Sequence, residues 1–142
     1  MKRNLITAFV YLLLGAAFGV FYREFTKWNG YTGVTALAAT HPHLIALGML
    51  VFLALYFGLK DDPILQNKKF KIFYIVYNIG LPGMVMMMLV RGILQVKGIS
   101  VSAGIDGMIQ GIAGVFHIMV GASLVLLFLA LFDREKAKKL QK

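Results

Sequence analysis

A chain of 142 residues has the length of a single domain, but 59% of its residues are hydrophobic and only 15% are charged, against about 25% charged in an ordinary globular domain. A soluble domain of this size cannot hide so much apolar surface, so the composition points to an integral membrane protein bathed in a lipid bilayer. The net charge of +9 lies outside the apolar stretches rather than on one basic face, which excludes a nucleic-acid binder, and the lack of cysteine excludes disulfides, thiolate metal sites, Cys-ligated iron–sulfur clusters and covalent c-type haem.

Four stretches are almost free of charge: Leu5–Tyr22, Ala36–Leu59, Phe73–Val90 and Ile105–Phe132. Each reaches or nearly reaches the ~18–20 residues that cross a hydrocarbon core of ~30 Å. Backbone groups in lipid must be satisfied within the segment, so these are helices. The predicted fold is all-α, a four-helix membrane bundle forming one domain over residues 1–142, with helices at about 5–22, 34–59, 71–90 and 104–132. Of the 15 Lys and Arg residues, only Arg23, Lys27, Arg91 and Lys97 fall in the first and third loops. The rest crowd the termini and the middle loop, which places both termini in the cytoplasm. The basic tail then suits anionic lipid headgroups.

The first helix carries Gly15 and Gly19, a small-xxx-small spacing that admits a close neighbour, either within the chain or in a second copy. Although this helix follows Lys2-Arg3 as a signal peptide would, its length spans a bilayer, and it reads as a retained helix. Arg23, Glu24, Lys27 and Trp28 mark the outer interface, and Asn29-Gly30 is turn chemistry. The second helix either begins near Val34 and kinks at Pro42, or begins around Thr40 with Pro42 in its first turn. Asp61-Asp62-Pro63 closes it and reads as a solvated loop.

In the third helix Gly80-Leu81-Pro82-Gly83 predicts a kink, and Arg91 predicts the outer end. Met84, Met86, Met87 and Met88 invite a Cu(I) site, but consecutive methionines on a helix point in different directions, so packing is the expected role. In the fourth helix Asp106, Gln110, His117 and Gly121 share a face, with Gly114 beside it. A stripe of acid, amide, imidazole and small residues faces protein or cofactor rather than lipid.

The chemistry-bearing residues are the three histidines: His41 and His43 at the head of helix 2, and His117 in helix 4. Counted from the inner helix ends, His117 lies roughly 21 Å deep, His43 roughly 24 Å and His41 roughly 27 Å. Similar depth favours His43 as the partner of His117. His41 shares its face with Gly48, where a flat macrocycle could lie close, and so remains an alternative ligand or a residue of a second site. The two helix 2 imidazoles point about 200° apart and cannot chelate one ion side by side. Facing histidines in an apolar bundle suit bis-imidazole iron, whereas a closed zinc site wants a fourth ligand that the chain does not offer. The expected cofactor is haem b, with Arg23 and Arg91 as outer-side cations for its propionates.

The stretch Thr40-His41-Pro42-His43-Leu44-Ile45-Ala46-Leu47-Gly48 resembles the His-x-His-Leu-x-x-x-Gly pattern of membrane proteins akin to haem–copper oxidase subunit I. That resemblance implies one axial ligand from His41 or His43 and the other from His117. The copper site of those oxidases needs further histidines, and this chain has none left, so oxygen reduction by this subunit alone is not expected. The whole chain, with Tyr22-Arg23-Glu24-Phe25 after helix 1, is also similar to a family of small four-helix bacterial membrane proteins of unknown function.

The expected function is therefore a b-type haem protein of a bacterial cytoplasmic membrane, serving electron transfer or redox and gas sensing. It is expected to be a homodimer, because four short helices enclose little volume around a macrocycle, and to work with a quinone or another redox partner. Two alternatives stand beside it. One is a cofactor-free transporter or interaction subunit in which the histidines and Asp106 line a proton or metal-ion path. The other is a haem carrier.

Overall fold

A computed structural model describes residues 2–60 and 62–140; Asp61 and Lys142, assigned above to the charged loop and tail, lie outside them. The chain forms four long helices: α1 (Lys2–Trp28), α2 (Leu37–Gly58), α3 (Lys68–Lys97) and α4 (Ala103–Leu140). A single 3-10 turn, Pro63–Gln66, stands between α2 and α3. All four helices are long and apolar enough to cross a membrane. The all-α expectation holds. The start of α1, the end of α4 and the α2–α3 connection lie at one end, the terminal end; the other two connections form the distal end.

The helices outrun their apolar windows, since charged and polar residues at the flanks continue the hydrogen-bonded ladder. The third helix does not stop at Arg91 but reaches Lys97, where Gly98 closes it at a φ of 63° with its N–H on the carbonyls of Leu94 and Gln95. It also runs through Pro82 as one helix of 30 residues. The second helix begins between the two predicted starts, at Leu37, and carries Pro42 in its interior. Past that proline the backbone widens into a π-helical segment, Leu44–Leu50, before regular α-helix resumes at Val51.

The four helices do not close into the expected bundle. α1, α2 and α3 form one packed unit, while α4 packs mainly along α3, with a smaller contact to the Pro63–Gln66 turn. The reason is that α3 has two packing faces. On one, the small Gly80 and Gly83 admit Met119, Val120 and Phe116 of α4. On the other, Phe73 and Tyr77 are fully buried and surround Phe52 of α2 together with Tyr11 of α1. Ring centroids there lie 5.7–6.3 Å apart, each pair adding about 0.5–1.5 kcal/mol beyond burial. Polar bonds tie α1 to α3 across the same region: Thr7 to the Tyr74 hydroxyl at 2.6 Å, and the Tyr11 hydroxyl to Asn78 Oδ1 at 2.9 Å.

Gly15 and Gly19 are spent within the chain, against Ile45 and His41 of α2. Gly48 faces the Tyr11 ring so closely that a methyl group would overlap it, and Tyr11 is held in place by its bond to Asn78. By contrast Gly107, Gly111, Gly114 and Gly121 of α4 have open space where a side chain would stand.

At the terminal end two ion pairs fasten α4. Arg134 reaches Asp62 with Nη2 at 2.6 Å and Nε at 2.7 Å, and Lys69 reaches Asp133 at 2.7 Å. Asp62 also accepts the Ile64 N–H, which caps the 3-10 turn. Partial burial alone would push the Asp62 carboxyl up, but the bond from Arg134, the Ile64 N–H and the guanidinium charge outweigh it and hold the group below the usual carboxylate range.

Two outcomes follow. Gly48→Ala is expected to lower stability by about 1–3 kcal/mol through overpacking, while Gly121→Ala is neutral or raises it by about 0.5–1 kcal/mol, as thermal unfolding in detergent would measure. Because the Asp62 carboxyl is depressed in the folded chain, its contribution is present above the unfolded value of about 3.9 and is lost as pH falls through the folded value. The protection factors of the Ile64 and Leu65 amides, taken against the intrinsic exchange rate at each pH, should therefore fall in acid below the usual carboxylate range and hold between pH 7 and pH 5.

Candidate functional site

At the distal end a groove of about 380 Å³ runs between α3 and α4 beneath the start of α2. Its walls are Thr35 and Ala36, then Met87, Met88, Arg91 and Gln95 of α3, and Ile109, Gln110, Ala113 and His117 of α4. Three contacts hold its roof. Thr35 Oγ1 donates to the Gly92 carbonyl at 3.2 Å, Gln95 Oε1 accepts the Ala36 N–H at 2.8 Å, and Leu37 presses on Gly92 where no larger residue would fit. The start of α2 is thus positioned by the last two turns of α3.

His117 is exposed on α4, and its Nδ1 lies 2.8 Å from the carbonyl of Ala113 one turn back. His43 repeats this geometry, with Nδ1 2.7 Å from the Ala39 carbonyl. A carbonyl only accepts, so Nδ1 carries the hydrogen in both rings, and in the neutral imidazole the lone pair is then on Nε2. His41 differs. Its Nδ1 is buried without a hydrogen-bond partner, and its ring rests on Gly19 and stacks on Tyr22 at 6.5 Å and 17°. It therefore faces α1, opposite to His43 as the helical spacing requires. The glycine expected to make room for a macrocycle beside His41 is occupied instead, Gly48 being filled by Tyr11.

Depth can be read from the contacts. Leu37 meets Gly92, and Phe116 meets Gly83 nine residues along α3. Measured from the Leu37 level, His43 lies about 9 Å and His117 about 15 Å towards the terminal end. The two imidazoles are thus about 6 Å apart in depth. His43 is not part of the groove wall; it continues the face of Ala36 two turns further down α2.

Of the other expected residues, Arg91 lines the groove with His117, and Gln110 joins them, its Nε2 bonded to Asp106 Oδ2 at 2.6 Å. Arg23 does not join them. It stands at the distal end of α1 with its side chain 81% exposed, 3.7 Å from Glu24. Among the described residues no group of three or more His, Asp or Glu side chains gathers at metal-binding distance, so His41, His43 and His117 do not form one three-ligand cluster.

Gln95 and Thr35 were missed by the sequence reading. Ending helix 3 at Arg91 hid the fact that Met88, Arg91 and Gln95 recur at helical spacing on one face. Met87 and Met88 were expected to serve packing, and the structure puts both on the groove wall beside His117.

No curated protein and no solved structure matches this chain. The family described as a protein of unknown function, DUF2871, matches residues 1–134, and the chain belongs to that family.

Proposed function

We propose that this chain is a four-span membrane protein with both termini in the cytoplasm, which holds haem b with His43 and His117 as axial ligands. The observation that carries the reading is the shared state of these two imidazoles. Each gives its Nδ1–H to the carbonyl one turn back and keeps Nε2 free, the arrangement that orients a metal-ligating histidine and raises its basicity. His41, its Nδ1 enclosed against α1, lacks that arrangement. The terminal end, rich in Lys and Arg, is the cytoplasmic side under the positive-inside rule.

The groove residues suit one side of the group, His117 standing in its wall while His43 stands outside it on α2. Arg91 supplies a cation for a propionate at the distal mouth, Gln95 and Gln110 supply amide dipoles, and Met87 and Met88 give an apolar wall that keeps water from the iron's place. Bound haem would supply one-electron chemistry, for electron transfer with a quinone or protein partner or for redox sensing. The flank carrying Gln110 and His117 is open in a single chain. Hydrocarbon is a costly neighbour for both, so a homodimer that covers this flank belongs to the proposal.

The test is a reduced-minus-oxidised visible spectrum of detergent-purified protein supplied with haem. Sharp α and Soret bands are expected for wild type and His41→Ala, with loss of those bands or conversion to a five-coordinate spectrum in His43→Ala and His117→Ala. A wild type that stays colourless would overturn the reading and leave a proton or metal-ion path in the lead. In the haem-free protein, ¹⁵N spectra of labelled histidine should report the Nδ1–H tautomer for His43 and His117 at neutral pH.

A further inference from the structure

The terminal part of α4 carries a second pattern, independent of the histidines. Val125, Leu129, Phe132, Lys136 and Lys139 recur at intervals of four and three and so occupy one face of the helix. The three apolar members are exposed, Phe132 by 60%. Leu129, Phe132, Lys136 and Lys139 share a hollow of about 450 Å³ with Lys69, Asp133 and Glu135. The charges in it do not cancel. Asp133 is taken by Lys69 at 2.7 Å, and Glu135 lies 3.5 Å from Arg134. Lys136 and Lys139 have no ion-pair partner among the described residues.

We propose that this hollow binds an anionic glycerophospholipid, its phosphate between Lys136 and Lys139 and an acyl chain along Phe132, Leu129 and Val125. The inference rests on the membrane-spanning reading but not on haem. An exposed apolar strip that ends in two lysines without an ion-pair partner among the described residues, in a hollow of net positive charge, is complementary to one ligand class: a hydrocarbon chain joined to an anion. A soluble phosphate would leave the strip uncovered. A second copy packed on the same face by two-fold symmetry would oppose Lys136 and Lys139 to their own kind.

The experiment uses the full chain in detergent, titrated with phosphatidylglycerol or phosphatidylcholine, with bound lipid counted by native mass spectrometry. Wild type should retain phosphatidylglycerol in preference to phosphatidylcholine. Lys136→Gln/Lys139→Gln should lose that preference by roughly tenfold or more, at about 1 kcal/mol for each lysine. The control Lys60→Gln/Lys68→Gln removes equal charge from the same end outside the hollow and should keep the preference. Equal loss in both double variants, or no preference in wild type, overturns the site. Complete displacement of phosphatidylglycerol by glycerol phosphate would also overturn it, in favour of a soluble anion. Release of the chain from membranes by alkaline carbonate would instead strike the membrane-spanning reading, and this proposal with it.

Discussion

The arrangement of the first three helices depends on how the backbone of α2 gets past Pro42. A proline inside a helix removes one N–H from the ladder and crowds the carbonyl four residues earlier. Here the helix continues through Pro42, and the wider π winding of Leu44–Leu50 follows it. Such segments are uncommon and are tolerated where neighbours satisfy what they disturb. The neighbour is α3: the Tyr77 hydroxyl donates to the Leu47 carbonyl at 2.8 Å. In apolar surroundings that bond matters more than its modest net worth in water suggests, because the alternative is a carbonyl with a weakened partner.

The same winding sets the side chains around it. With Leu47 turned towards Tyr77, Gly48 meets Tyr11 of α1 and Phe52 enters the ring cluster at the centre of the three-helix unit. Above the π segment, His41 is fixed against Gly19 and Tyr22, which leaves His43 on the other side of α2. The two imidazoles sit only two residues apart, yet one is packed into α1 and the other keeps a free Nε2. Helix periodicity dictates that divergence, and the packing of Gly19 decides which of the pair is enclosed.

Helix number and class were legible because each apolar run is long enough to demand internal hydrogen bonding. The ends were not, because charge marks where hydrocarbon stops and not where the helix stops. Arg91 illustrates the cost: placed at the end of helix 3, it concealed Gln95, whose amide holds the start of α2. Glycine was ambiguous for a related reason. Gly15, Gly19, Gly48 and Gly92 all receive a neighbour, whereas Gly107, Gly111, Gly114 and Gly121, with the same small-residue spacing, receive none in the single chain. Spacing reveals that a close approach is possible, and only the fold reveals whether it occurs. The depths of His43 and His117 could be counted from rise per residue, roughly 3 Å apart, but the fold, in which Leu37 meets Gly92 and Phe116 meets Gly83, sets them about 6 Å apart. The enclosure of His41 was not legible, since it depends on α1.

α4 is the helix that sequence periodicity describes least well, and the cause is that it packs mainly against one other helix, α3. Phe116, Val120, Ser123, Leu127 and Ala130 recur at helical spacing and turn towards α3, four of them at its glycines or in the core. The rest of its perimeter is free to follow other demands along its length. Near the distal end those demands are polar, with Asp106, Gln110 and His117 on one flank. Through the middle they relax to glycine and exposed aliphatic side chains. At the terminal end they become electrostatic: Asp133 and Arg134 lock the helix to Lys69 and Asp62, while Lys136 and Lys139 have no ion-pair partner among the described residues. A helix inside a closed bundle could not vary in this way, since every face would answer to a neighbour of fixed shape. Because α4 answers mainly to α3, its remaining faces are where this chain can meet a cofactor, a lipid or a second copy of itself.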